Sequence, residues 1–340
     1  MTWLLSARLG LLWAALVGRP AGPLAAPAAG GRSLASVNEA YGELGEAAWA
    51  WVLGQVRGDE GPWLPEVVSG DGSPAGPGAD RDSVYAGIGG LAPVLAEISQ
   101  YRALTGAEQA LAAGIVARLG AGLPGRAEPS LYDGLGGDGF IVPHTLPYST
   151  RDVEPVTYNW CHGPAGTSQL FAALALAGVD KIDGMPVTWL RQRCLDAILA
   201  SGVPTRLRPG FWDNDGRCCG TAGVGDVLLD AAQDCGDPAR AGRLLQEACT
   251  MADALAGRAI RDQAGARWRF TEHRQDPPLL PPGTSWMQGA AGIAAFLLRL
   301  ARVLRTGLTA PVVDRPDQWW AVPARLRTVH TGSQIPPGQA

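Results

Sequence analysis

The chain repeats one hydrophobic pattern four times: a short glycine-rich turn followed directly by a helical stretch that is apolar on nearly all sides. The turns have the form Gly-x-(Ala/Gly)-Gly, and the apolar stretches begin after Gly90, Gly166, Gly223 and Gly292. A helix that is apolar around its whole circumference must be buried all round. Glycines at its start let neighbouring backbones approach closely. The pattern therefore predicts four inner helices that pack near one another.

Three of these inner helices are followed by a second, more amphipathic helical stretch, so the repeating unit is a helical hairpin. The second stretches cover residues 107–119, 187–200 and 238–256. Apolar helices backed by amphipathic ones predict an all-α fold, an α/α toroid whose hairpins surround a common axis. An ordinary helical bundle with glycine-capped helices is the alternative.

A fifth glycine turn, at residues 134–137, is not followed by a helical pattern. The next segment, DGFIVPHTLPYSTRDVEPVTYN (138–159), contains three prolines and several β-branched residues. Proline interrupts helices because it lacks a backbone N–H and clashes with the preceding turn. The helices of this repeat are therefore expected to be missing, and the toroid is predicted to be an incomplete ring.

The repeats place the toroid domain at residues 36–310. Residues 1–35 are expected to be a disordered extension, and the apolar run 9–17 with the alanine-rich sequence after it is also similar to a secretory signal. That run is too short to span a bilayer, so no stable membrane span is expected. Prolines and polar residues predict a poorly ordered tail at 311–340, where Trp319 and Trp320 are the side chains able to pack onto the domain.

Composition and charge narrow the range of partners. The 28 basic and 32 acidic residues give a formal net charge of −4, which argues against nucleic acid and anionic membranes. Hydrophobic residues make up 46% of the chain, so it is not disordered as a whole. The six cysteines are too few and too unevenly spaced for a disulfide scaffold. A reducing, cytoplasmic location is expected, with export through an atypical N-terminal signal as the alternative.

Three cysteines stand immediately before glycine turns. Cys161 precedes the turn at 163–166, and the pair Cys218 and Cys219 precedes the turn at 220–223. In a toroid these turns face the same rim, so equivalent residues of adjacent repeats converge near the axis. Three thiolates at one point form a soft-ligand site that suits Zn²⁺, and three protein ligands leave a tetrahedral position open, as in catalytic zinc sites. The alternative is that they are small buried core residues.

No catalytic acid or base is identified by its sequence context. His162 follows Cys161 and is a candidate acid–base group, metal ligand or polar residue of the rim. Asp213, Asn214 and Asp215 either orient the metal ligands through hydrogen bonds or form a plain polar turn. The other histidines and cysteines interpreted as local hydrogen-bonding, core or surface residues are His144, His273, Cys194, Cys235 and Cys249.

Four segments carry a resemblance to a known family: WCHGPAGTSQLF (160–171), GFWDNDGRCCGTAGVGDVLLD (210–230), WMQGAAGIAAFLL (286–298) and, more weakly, SVYAGIGGLAPVLAEI (83–98). In these four segments the chain resembles the lanthionine synthetase C-like proteins. The resemblance implies an α/α toroid and a zinc ion on Cys161 and Cys218. Cys219 stands where most members have His, and this three-cysteine variant is similar to a subset of lanthipeptide cyclases.

The resemblance also implies a reaction. In the family, a zinc-bound cysteine thiolate of a peptide adds to dehydroalanine or dehydrobutyrine and forms a thioether ring. The implied partners are a peptide with Cys and dehydrated Ser or Thr, and a separate dehydratase. The acid–base His of a Ser-His-Gly type motif and a nearby Asp are not located in this chain, which is shortened in its middle repeats relative to the family.

These features leave three candidate functions. The first is a zinc-dependent cyclase, and the second is a catalytically impaired module that binds zinc and a thiol or peptide. The third is a glycoside hydrolase, because α/α toroids also house those enzymes. That chemistry needs two opposed carboxylic acids, and the repeats carry no such pair.

Overall fold

The computed structural model describes residues 34–58, 61–69, 75–76, 81–122, 142–143, 156–204, 214–271 and 279–315. Most of these residues are helical, so the prediction of an all-α fold is confirmed. The α-helices of this part of the chain are α1 Leu34–Gln55, α2 Leu91–Tyr101, α3 Gly106–Gly122, α4 Pro164–Leu176, α5 Val187–Ala200, α6 Thr221–Asp234, α7 Pro238–Arg258 and α8 Ala290–Thr306. A 3₁₀ turn, Ile88–Gly90, leads into α2.

Short antiparallel strand pairs lie in the segments between helices. Their bounds are β1 Val142–Pro143, β2 Val156–Thr157, β3 Lys181–Ile182, β4 Met185–Pro186, β5 Ile260–Asp262, β6 Gly265–Arg267, β7 Phe270–Thr271 and β8 Leu279–Leu280, and each odd-numbered strand pairs with the next. The β3–β4 turn consists of Asp183 and Gly184, which have φ of 48° and 78°. Two positive φ angles are what a tight two-residue hairpin requires.

The helices pack in pairs. Two of these pairs are hairpins of consecutive helices, and another joins the first and last helices of the described chain. Helix α4 packs against α5, and α6 packs against α7, as the repeat pattern predicts. Helix α8 has no helix directly after it in residues 307–315, and α1 packs along it instead. No glycine turn precedes α1, so the repeat pattern does not predict this helix.

The inner helices form a row in the order α2, α8, α6 and α4, in which neighbours are in contact. Every residue of α8 from Ala290 to Val303 and every residue of α6 from Thr221 to Ala232 is buried, so these two helices have the predicted all-round burial. Helix α4 is the end of the row and is only partly buried, with Leu176 exposed. Helices covered by neighbours on every side must be mostly apolar with their charged groups paired, as Arg299 of α8 is with Asp226 of α6, and a helix at the end of the row need not be.

The turns before the inner helices fold back closely over the helix they lead into. At the last glycine of each turn, a Cβ would collide with the carbonyl oxygen six residues earlier; the pairs are Gly90 with Val84, Gly166 with Trp160, Gly223 with Arg217, and Gly292 with Trp286. A side chain at these positions would push the turn away from the helix. The same residue spacing therefore produces the same turn four times.

Several sequence expectations concern residues outside the described ranges. They include the N-terminal extension with its signal-like run, the tail with Trp319 and Trp320, the glycine turn at 134–137, His144, Asp213 and His273. Among the described helices, none combines the length and apolar character that crossing a bilayer would require.

Candidate metal centre

Three cysteine sulfurs meet at the N-terminal ends of α4 and α6. The Sγ atoms of Cys161 and Cys219 are 3.3 Å apart, and those of Cys219 and Cys218 are 3.4 Å apart. All three sulfurs lie within 4.8 Å of one another. Cys218 and Cys219 are buried and Cys161 is half-buried, and all three are thiols with no disulfide between them. The structure thus brings together the residues predicted from their positions before the glycine turns.

Backbone hydrogen bonds between the turns bring the cysteines together. The N–H of Cys161 donates to the carbonyl oxygen of Cys218 at 3.2 Å. In the same way Cys218 donates to Met287 at 2.7 Å, and Met287 donates to Tyr85 at 3.3 Å. Each of these four residues stands five positions before the last glycine of its turn. Backbone hydrogen bonds therefore join the equivalent residues of neighbouring repeats one to the next. The side chains of these residues project from equivalent positions in their turns.

The sulfur cluster fits a tetrahedral metal ion. Zn–S bonds of about 2.3 Å at tetrahedral angles place the sulfurs of one face about 3.8 Å apart. The measured separations of 3.3 and 3.4 Å are within a few tenths of an ångström of that spacing. Thiolates are also ligands that zinc and other soft metals prefer. Cys161, Cys218 and Cys219 could therefore hold a metal ion with modest adjustment of their side chains.

The sequence region that carries this cluster matches a known protein family. Residues 142–305 match the family described as lanthionine synthetase C-like protein. The match covers just under half of the chain. The resemblance is thereby confirmed for residues 142–305, which contain three of the four motifs and all three cysteines of the cluster. A comparison with curated proteins finds no match.

The three thiols of the cluster differ in acidity. Hydrogen bonds from the thiols of Cys161 and Cys219, and one from the phenol of Tyr85, hold the pKa of Cys218 well below its usual value despite burial. The pKa of Cys219 is raised, chiefly because its thiol is hydrogen-bonded with the sulfurs of Cys161 and Cys218. The pKa of Cys161 is raised by its hydrogen bond to Cys218 and by burial. Of the three thiols, that of Cys218 is therefore the most readily deprotonated.

Tyr85 contacts the cluster from the turn before α2, which precedes the region matched by the family. Its hydroxyl donates a hydrogen bond to the Sγ of Cys218 at 3.2 Å. Burial and the nearby cysteine sulfurs raise the pKa of Tyr85, so the phenol stays protonated at neutral pH. Sequence reasoning missed this residue, although its spacing from Gly90 equals that of Cys161 from Gly166.

A buried ionic cluster holds the turn that carries Cys218. The guanidinium of Arg217 is paired with Asp226 of α6 and lies over the ring of Trp286, 4.9 Å from the ring centroid. Arg299 of α8 binds the other oxygen of Asp226 at 2.5 Å. Burial alone would raise the pKa of Asp226, but Arg217, Arg315 and Arg299 together lower it well below the usual value. Sequence reasoning missed this cluster as well.

Asn214 and Asp215 secure the other end of the same turn. The side-chain amide of Asn214 accepts a hydrogen bond from the N–H of Thr271 at 2.7 Å and donates to its carbonyl oxygen at 3.0 Å. The carboxylate of Asp215 pairs with Arg258, which also donates to the hydroxyl of Thr221 at 2.8 Å. These side chains therefore hold the turn in place between α6 and its neighbours.

The remaining candidates lie apart from the three-sulfur group. His162 follows Cys161 and is half-buried, and its ring nitrogens are not part of that group. Cys194 of α5 and Cys249 of α7 are buried in helices, and burial raises the pKa of both to about 12. Cys235 is half-buried at the end of α6. These three thiols occupy the core and helix-end positions expected from their helical surroundings.

Proposed function

We propose that this protein is a zinc-dependent cyclase that joins a peptide cysteine to dehydroalanine or dehydrobutyrine. In this Michael-type addition the cysteine sulfur bonds to the β-carbon of the dehydrated residue, and the α-carbon of the resulting enolate takes up a proton. The product is a thioether ring. The single observation that carries the proposal is the gathering of Cys161, Cys218 and Cys219 into one cluster within the matched region.

The three cysteine thiolates would hold the zinc ion. Their number leaves a fourth tetrahedral position open, which is the arrangement of catalytic rather than structural zinc. Bound zinc supplies the Lewis acidity that keeps a peptide thiol deprotonated at neutral pH. Binding also requires the thiols of Cys161 and Cys219 to lose their protons, so metal affinity should rise with pH.

The ligand set distinguishes this chain from family members with two cysteines and a histidine. Cys219 in place of a neutral imidazole adds one negative charge at the centre. An added negative charge disfavours deprotonation of a substrate thiol but makes the resulting sulfur more nucleophilic. His162, beside Cys161 on the same turn, is the candidate donor of the proton that the enolate carbon receives.

We further propose that the row α2, α8, α6 and α4 belongs to an α/α toroid. The support is the repeated turn and the series of hydrogen bonds between equivalent residues of adjacent repeats. In this proposal residues 36–310 form one domain with an extension on either side. The partners are a peptide with Cys and dehydrated Ser or Thr, and a separate dehydratase, in a cytoplasmic setting.

A second candidate is a catalytically impaired module that binds zinc and a thiol or peptide. It is favoured by the sequence around the histidines: none of the four stands in a Ser-His-Gly motif like that of the family's acid–base residue. Such a module would keep the metal centre and lack the proton donor. It would bind a peptide thiol without converting it.

Metal content and thiol loss test the proposal together. The purified protein should carry about one zinc per chain, and Cys219→Ala should reduce that content, whereas Cys235→Ala, outside the cluster, should not. A dehydrated peptide with one cysteine should then lose its free thiol without a change in mass, faster than with Cys219→Ala. Zinc without thiol loss would favour the binding module. Absence of zinc in wild-type protein purified with zinc would contradict both functions.

A further inference from the structure

One residue outside the region matched by the family touches the cluster. Tyr85 stands on the turn before α2, and its hydroxyl donates to the Sγ of Cys218 at 3.2 Å across 133 positions of sequence. Its repeat carries no cysteine, yet it supplies the residue equivalent to Cys161 and Cys218 in the hydrogen-bonded series of turns. The fold thus directs a phenol, rather than a thiol, from this repeat to the same centre.

The turn around Tyr85 is held at several points. Its carbonyl oxygen accepts a hydrogen bond from the N–H of Met287. The hydroxyl of Ser83 accepts hydrogen bonds from the N–H groups of Ala86 and Gly87 at 3.0 and 3.1 Å. Gly90 lets the turn fold back onto α2, where a Cβ would collide with the carbonyl of Val84. The backbone of this turn is therefore held in place, and it positions the phenol of Tyr85 beside the sulfur of Cys218.

We infer that Tyr85 is a positioning residue of the metal centre, whose phenol donates a hydrogen bond to the thiolate of Cys218 when the metal is bound. The inference rests on the proposed metal site. A centre of three thiolates carries more negative charge than a two-cysteine, one-histidine centre, and a charge-assisted hydrogen bond to one sulfur offsets part of that charge. Hydrogen-bond partners of metal ligands commonly contribute tenfold to a hundredfold to metal affinity.

Tyr85→Phe isolates the hydroxyl because it retains the aromatic ring. We expect zinc affinity, measured by competition with a chelator, to fall at least about tenfold. In the Co²⁺-loaded protein, the sulfur-to-cobalt charge-transfer band should move to lower energy, since a thiolate with one hydrogen bond fewer gives up its electrons more readily. The d–d bands should remain those of a tetrahedral site, because all three sulfurs are still present.

Tyr41→Phe is the matched control. Its hydroxyl also makes hydrogen bonds, at 2.7 Å to Asp253 and 3.2 Å to the carbonyl of Cys249, but it joins α1 to α7 instead of contacting the cluster. This variant should match wild type in both measurements. A Tyr85→Phe protein with wild-type affinity and spectrum, or a Tyr41→Phe protein with equal losses, would overturn the role of Tyr85 while leaving the cyclase proposal intact. A wild-type protein that binds neither Zn²⁺ nor Co²⁺ would instead overturn the metal centre, and this inference with it.

Discussion

The sulfur atoms of Cys161 and Cys219 lie 3.3 Å apart although the two residues are 58 positions apart in the chain. The contact depends on the turns before α4 and α6, which are joined by a hydrogen bond from the N–H of Cys161 to the carbonyl oxygen of Cys218. A backbone contact therefore sets the distance between side chains that could share a metal. The properties of this pair and of the turns that hold it can be measured directly.

Cys219→His should retain the metal. An imidazole at this position gives the two-cysteine, one-histidine set that suits zinc, so the metal content should stay near that of wild type, whereas Cys219→Ala should lower it. The Co²⁺ protein should lose part of its sulfur-to-metal absorption, because one thiolate is gone. A Cys219→His protein that fails to bind metal, while Cys235→Ala binds normally, would show that the turn cannot accept the larger ring.

Mild oxidation of metal-free protein with hydrogen peroxide should join Cys161 to Cys218 or to Cys219. Peroxide reacts with the thiolate, so the Cys218 sulfur, whose pKa is lowered, should be oxidised first, and a neighbouring thiol within 4.8 Å then displaces water to form the disulfide. Peptide mapping by mass spectrometry should identify the linked peptides, and a thiol reductant should reverse the link. Prior loading with Zn²⁺ should slow the reaction. A product that links Cys194 or Cys249 instead would contradict the expected order of reactivity, since both are buried in helices.

Gly223→Ala should destabilise the fold because the new Cβ would collide with the carbonyl oxygen of Arg217. Relieving such a clash in a packed region typically costs about 1–3 kcal/mol of unfolding free energy. Chemical denaturation measures the loss. Gly242→Ala is the control: it lies in α7, nothing lies within 4 Å of a Cβ there, and alanine is favoured over glycine in a helix. Equal stability of the two variants would contradict the close-turn explanation.

Glu108 should make the stability of the fold depend on pH in the acid range. Hydrogen bonds from Arg102, from the backbone of Thr105 and from the indole of Trp49 lower the pKa of this buried carboxyl to about 2. Because that value lies below the unfolded pKa of about 4.3, its stabilising contribution is complete above the unfolded pKa and is lost as the pH falls from about 5 to about 2.

Glu108→Gln tests this dependence. The variant should lose about 2 kcal/mol of unfolding free energy at neutral pH, the usual scale for hydrogen bonds to a charged group. Its stability should also fall less steeply than that of wild type between pH 5 and pH 2. Glu39→Gln, at an exposed position of α1, should leave both quantities unchanged. A wild-type curve that is flat over this range would contradict the assigned role of Arg102.

The helical repeats and the metal candidates could be predicted from local sequence because they depend on short-range pattern. Glycines at fixed spacing mark the turns, and the apolar stretch after each marks a buried helix. The second helix of one hairpin was predicted at 187–200, and α5 has those bounds. Cys161, Cys218 and Cys219 could be singled out because each stands at a similar place relative to its turn.

Other features depend on contacts that no local pattern encodes. Helix α1 occupies the place beside α8 because α8 is buried on all sides and residues 307–315, directly after it, form no helix that could cover it. Similarly, nothing in the local sequence distinguishes Tyr85 from other half-buried aromatic residues. Its role depends on the hydrogen bond that places its turn beside that of Met287.

The amino-acid sequence by itself determined which segments are inner helices, which turns require glycine, and which thiols were candidate metal ligands, since each follows from residue type and spacing along the backbone. Only the tertiary structure decided which repeats are neighbours, how far apart the sulfurs lie and which phenol reaches them. The physical reason is that burial and hydrogen bonding between distant segments select one arrangement among many with the same local pattern.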